Sequence, residues 1–213
     1  RLLEKRNALH PVLARKLKHA IYRELMLAQR HDPAALEASW RRLPQADREV
    51  PEIALEGSRL LNVAGRGHLA AEVIEAALGK SPAAWDDAAE RLLDEYARAQ
   101  AFPARGQLER AEAWLAQAPP RGPIRATLLR TAGLICLREQ LWGKSKGYLE
   151  DSLAEASHPS TFLALARLAE NVGDEAAAAR NYREAALGFA NIPAAANEHA
   201  FAVLRAGMRD ITH

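Results

Sequence analysis

The sequence predicts an all-α fold made of stacked antiparallel helix pairs, on three observations. Alanine, the strongest helix former, supplies 46 of 213 residues, and runs of strand-favouring β-branched residues are nearly absent. A small residue, a bulky one four positions later and another small one three beyond recur as Ala70, Ile74 and Ala77; Ala111, Leu115 and Ala118; Ser145, Leu149 and Ser152; and Ala178, Tyr182 and Ala185. That spacing puts all three on one helical face, with room for a second helix to approach closely. The copies start 41, 34 and 33 residues apart, near the length of one two-helix repeat, which points to a solenoid, an architecture whose usual work is holding partners.

Residues 11–30 carry a helical stripe of Val12, Leu13, Leu17, Ala20, Ile21, Leu25 and Ala28, with Pro11 suited to the first turn. His31, Asp32 and Pro33 break it, and Asp32 is placed to cap a second helix over 33–43 that ends before Pro44. Helices over 50–64 and 68–78 follow, separated by Gly65, Arg66 and Gly67, with Pro82 beyond the pair. A long helix is expected over 83–101, interrupted at Phe102, Pro103, Arg105 and Gly106 before helix 107–118, so the unit 82–119 reads as stretched. The Pro-rich segment 119–123 reads as a connection inside the solenoid, a linker between two bodies being the other reading. Helices over 124–138, 142–155, 160–171 and 174–189 complete the array, Gly173 terminating one and Asp174 capping the next. The expected organisation is 1–49 as N-terminal helices with a degenerate pair, 50–190 as repeats and 191–213 as a capping segment with a helix over 194–206.

Charge is balanced, with 29 basic and 27 acidic side chains giving a net +2, which together with the lack of interleaved aromatic residues argues against a nucleic-acid partner. The most basic stretch holds Arg1, Lys5, Arg6, Arg15, Lys16 and Lys18; it reads as a charged first helix, with an anionic-lipid or nucleic-acid contact or a boundary effect as alternatives. No segment approaches 18 apolar residues, and no signal peptide is visible. The chain starts at Arg1, which leads to the expectation that it is a piece of a longer protein.

Several frames resemble tetratricopeptide repeats. In one, Leu129, Ala132, Gly133 and Cys136 are followed by Trp142, Ser145, Leu149 and Ser152; in another, Phe162, Leu165, Ala166 and Ala169 precede Gly173, Ala178, Tyr182 and Ala185. The Pro51 frame supplies Ser58, Leu61, Gly65, Ala70, Ile74, Ala77 and Pro82. Copies are degenerate, Gln140 standing where the inter-helix glycine is expected. The resemblance implies a right-handed superhelix of antiparallel helix pairs. The basic first helix, the run His31 to Trp40, the repeat over 50–77 and the segments 141–153 and 164–174 also resemble the C-terminal region of the proteobacterial HemY family. That resemblance implies a periplasm-facing domain of an inner-membrane protein associated with heme biosynthesis, anchored by membrane helices upstream of Arg1, with no established catalytic residues. It implies a partner that is a heme-biosynthesis enzyme or membrane component.

No catalytic constellation, cofactor site or metal site emerges from the residues. The seven histidines lack the i,i+4 spacing of a helical zinc site and no Cys-His heme attachment occurs, so they read as turn or surface residues, with His68 or His158 as the alternative of a heme axial ligand. Cys136, the single cysteine, reads as a buried packing thiol, and Gly65, Arg66 and Gly67 are too short for a phosphate loop. The expected functional surface is the concave side lined by first helices, where repeat register places Arg59, Asn62, Arg130, Arg138, Arg167 and Glu170, with Leu134 and Leu163 between them. Repeated arginines there would bind partner carboxylates, or are ordinary solubilising charges. Alanine at Arg130 and Arg167 is expected to weaken binding without unfolding. The sequence therefore predicts a non-catalytic protein-interaction scaffold, a porphyrin- or heme-binding carrier being the alternative.

Overall fold

The computed structural model describes residues 11–79, 82, 85–101 and 104–191, and every regular element among them is a helix. The segment 191–213, but for Asn191, and the basic residues Arg1, Lys5 and Arg6 lie outside the described residues, as do Phe102 and Pro103. The described residues begin with α1 (Pro11–Ala28), α2 (Pro33–Arg42) and the single turn α3 (Gln45–Arg48). Asp32 caps α2 by accepting from the Ala34 and Ala35 amides at 3.0 Å, and Pro33 occupies the first turn, where its missing N–H costs nothing.

Four first helices follow, α4 (Pro51–Val63), α6 (Asp87–Arg98), α8 (Pro123–Arg138) and α10 (Pro159–Asn171). Each is paired in sequence with a second helix, α5 (Gly67–Leu78), α7 (Ala104–Gln117), α9 (Trp142–Glu155) and α11 (Glu175–Ala190). The first helices begin at 51, 87, 123 and 159, an even interval of 36 residues. The stretched unit is thereby relocated. The expected helix over 83–101 is shorter at both ends, because Asp86 caps α6 and Ala99 turns extended, and α7 runs through Arg105 and Gly106 instead of starting after them. The extra residues sit in the connections 79–86 and 99–103, not in a longer repeat.

Three of the four pairs turn in the same way. Gly65, Gln140 and Gly173 adopt φ of 71°, 58° and 79°, the left-handed region, one residue past the helix cap. In each, the next amide reaches back to the last full turn: Arg66 to the Leu61 carbonyl at 2.8 Å, Leu141 to Cys136 at 2.9 Å and Asp174 to Ala169 at 2.8 Å. These bonds satisfy carbonyls that the helix end would leave bare. Gln140 performs this with a side chain that opposes the conformation.

Packing runs helix to helix along the array: each first helix meets the following first helix, and α5, α7 and α9 each lean on the first helix after them. One continuous core extends from Met26 in α1 to Cys136 in α8 and includes Trp40, Leu61, Ile74, Leu93 and Tyr96. The N-terminal helices therefore share the core of the repeats, and α7 and α8 pack directly across the Pro-rich segment 119–123, which is a connection within one body. The small-large-small stripe faces the partner helix: Ser145 and Ser152 are fully buried and donate to the Gly133 and Ala126 carbonyls of α8 at 2.9 and 2.8 Å. Leu149 between them seats against Gly133, where a Cβ would fall 2.7 Å from the leucine Cγ.

Candidate functional site

The first helices α4, α6, α8 and α10 form a wall, and two of the expected arginines, Arg59 and Arg130, lie opposite acids of α6 that sequence reasoning did not single out. Asn62 donates from Nδ2 to Glu95 Oε1 at 2.6 Å, Arg98 donates from Nη1 to Oε2 at 3.2 Å, and Arg59 Nε lies 3.8 Å from Oε2. Glu95 is 3% exposed, so this carboxylate is held inside the α4–α6 contact rather than offered to a ligand.

Arg130 is likewise 3% exposed. Its Nε and Nη2 donate to Asp94 Oδ1 at 3.2 and 2.7 Å, across the α6–α8 contact. Arg138 is half-buried and donates to the carbonyls of Ala97 and Ala99 at 3.2 and 3.0 Å and to Gln107 Oε1 at 2.7 Å. It fastens the chain just after α6, where the connection to α7 is longest. Leu163 packs with Ala185 and Phe189, and Leu134 rests half-buried against Leu149, Ala164, Leu165 and Leu168. Arg130 and Leu163 were expected at the solvent face; neighbouring helices stand so close that both are enclosed.

Arg167 and Glu170 remain accessible on α10, with Tyr182 donating to Glu170 Oε2 at 2.6 Å. Burial and that bond push the Tyr182 hydroxyl up to about 12. Between α6 and α8, burial raises Glu90 above the usual carboxylate range, Arg130 opposing and Asp87 and Asp94 reinforcing the shift. His158 caps α10, its Nδ1 accepting from the Ser160 amide at 3.2 Å. Burial, aided by Arg130, lowers it to about 4, so at neutral pH it is the uncharged acceptor that the cap requires.

Among the described residues no group of three or more His, Cys, Asp or Glu side chains is placed to hold a metal ion. Cys136 is buried and its thiol is pushed up to about 11 by burial, which suits packing and opposes thiolate chemistry. His68 lies exposed beside Glu72 at 3.2 Å. No helix among the described residues is long and apolar enough to cross a membrane.

The missed residues Asp94 and Glu95 had a signal in the sequence: they stand in α6 one repeat away from Arg59 and Arg130, where a side-by-side helix places its contacts. Compared with models of protein families, with curated proteins and with solved structures, the chain matches none.

Proposed function

We propose that this protein is a non-catalytic scaffold of degenerate tetratricopeptide-type repeats, wound as a right-handed superhelix, that holds a protein partner on the wall of first helices. The observation that carries the reading is the even 36-residue spacing of four first helices packed side by side, which builds an extended face from successive units. Much of the charge on that wall is spent internally, through Asp94 and Glu95, so recognition falls to what stays accessible toward α10, with Arg167 and Glu170 at its centre. Arg59, Asn62, Arg130, Arg138, Leu134 and Leu163 shape the surface beneath. A partner there presents a carboxylate to Arg167 and a donor to Glu170.

On the resemblance to HemY sequences, we propose that the partner is a heme-biosynthesis enzyme or membrane component at the bacterial inner membrane, with this domain on the periplasmic side. The test is proximity crosslinking in native cells of the parent protein carrying Arg167→Glu. Loss of a crosslinked partner, with the thermal melt of the domain unchanged, is the expected result; an unaltered set of crosslinks would remove Arg167 from the interface. Absorption titration with heme separates the carrier alternative, which requires a Soret shift.

A further inference from the structure

The apolar interior of the array does not run on into its last helix pair. Among the described residues the main core extends from Met26 to Cys136 and takes in no side chain of α10 or α11. Those two helices close on a cluster of their own, Leu163, Ala185 and Phe189, with Phe162 and Tyr182 against it. A second small cluster, Leu149, Ala164, Leu165 and Leu168, joins α10 to α9. A pair with its own core and a small joint can open as a unit while the rest of the chain stays folded.

His158 stands at that joint. It precedes α10, and its Nδ1 accepts from the Ser160 amide at 3.2 Å, a bond that only the uncharged imidazole can take. The charges acting on it among the described residues are Arg130 of α8 and Asp94 of α6. Arg130 is bonded to Asp94 at 2.7 Å, so the guanidinium belongs to the α6–α8 contact and stays there if α10 leaves. A proton on Nδ1 therefore ends the cap and sets a second cation beside Arg130. Burial holds the folded imidazole at about 4, and opening returns it to its ordinary 6.5, so acid favours opening as pH falls below about 6.5. The α6–α8 contact responds in the opposite sense. Burial, reinforced by Asp87 and Asp94 and opposed by Arg130, raises Glu90, so its folded carboxyl binds a proton more readily than an exposed one and acid favours that contact.

We propose that α10 and α11 form an acid-released unit, which opens away from α8 and α9 when His158 takes up a proton while α4 to α9 stay folded. Arg167 and Glu170 lie on that unit, so acidification withdraws the partner-facing surface. This consequence rests on the function proposed above, whereas the opening itself does not.

Hydrogen exchange of the full chain, read peptide by peptide at pH 7 and pH 5 and corrected for the intrinsic rate at each pH, tests the opening without any partner. Protection in α10 and α11 should fall about tenfold or more between pH 7 and pH 5, while α4 to α9 keep theirs. His158→Asn and His158→Ser each retain a cap that does not titrate, and in either variant the acid response of α10 and α11 should vanish. An equal loss of protection in all helices would mean that only complete unfolding exposes His158, and it overturns the proposal. So does unchanged protection in α10 and α11, or an acid response that survives both substitutions. Since no partner enters the measurement, a failed opening and a failed Arg167 interface are told apart.

Discussion

Replacing Gln140 by glycine should stabilise the protein, and the size of the effect follows from one dihedral angle. Gln140 sits at φ 58° in a turn whose two counterparts use glycine. A left-handed residue bearing a Cβ costs about 1–2 kcal/mol. Glycine relieves that but leaves a freer unfolded chain, which offsets about 0.5–1 kcal/mol. The net expectation for Gln140→Gly is a gain of up to about 1.5 kcal/mol, or a rise of up to about 6 °C in Tm for a chain of this length. Urea unfolding followed by circular dichroism measures it, with an unchanged denaturant slope showing that the unfolded ensemble is comparable. Gly173→Ala, the reverse change at φ 79°, should lose about 1 kcal/mol in the same assay. A clearly destabilising Gln140→Gly, at constant slope, would mean that the backbone at this turn is not left-handed, and the shared geometry of the three turns would fail with it.

Other outcomes follow from the same contacts. Gly133→Ala forces a Cβ against Leu149 and should cost about 1–3 kcal/mol, whereas Gly147→Ala, which meets nothing within 4 Å, should add about 0.5–1 kcal/mol; paired melting curves decide it. Arg130→Ala leaves Asp94 without its guanidinium in a mostly enclosed contact, so denaturation should show a loss of about 2–4 kcal/mol rather than the selective loss of partner binding expected from the sequence. His158 binds a proton less readily folded, at about 4, than unfolded at its ordinary value, so its contribution is complete above about pH 6.5 and declines as pH falls toward 4. Between pH 7 and pH 5 this removes about 2 kcal/mol, and His158→Asn, a capping residue that does not titrate, should flatten the pH dependence of unfolding. Asp47 adds an acid-side loss at lower pH: burial opposes its charge, but the bonds from Lys18 and Tyr22 outweigh that and hold its carboxyl below the usual range.

Helix identity was legible because alanine content, apolar period and caps agree at each element, and Asp32 and Asp174 cap as their positions suggest. The 36-residue interval was hidden because the small-large-small stripe marks second helices, whose starts shift with connection length, whereas the first helices keep the beat. Helix 83–101 was overextended because Pro82, Ala83 and Ala84 are compatible with a helical start, and only Asp86, whose carboxylate accepts from the Ala88 amide at 3.0 Å, fixes the boundary. Arg130 and Arg138 were placed on the right helix. Whether such a residue is open or enclosed depends on how closely a helix from another repeat approaches and what charge it carries, and that information lies about 36–41 residues away in the chain.

The pairing of Arg130 with Asp94, and of Glu95 with Arg59 and Asn62, also determines which units can be neighbours. Repeats bound only by apolar stripes could be reordered, duplicated or deleted with little loss. Here α8 without α6 beside it would bury an orphaned guanidinium, and α6 without α4 would leave Glu95 bound only through Arg98, within its own helix. The units are therefore addressed: each carries the counter-charge for one particular neighbour, and a chimera that swaps α4–α5 with α8–α9 should fail to assemble even if every helix forms.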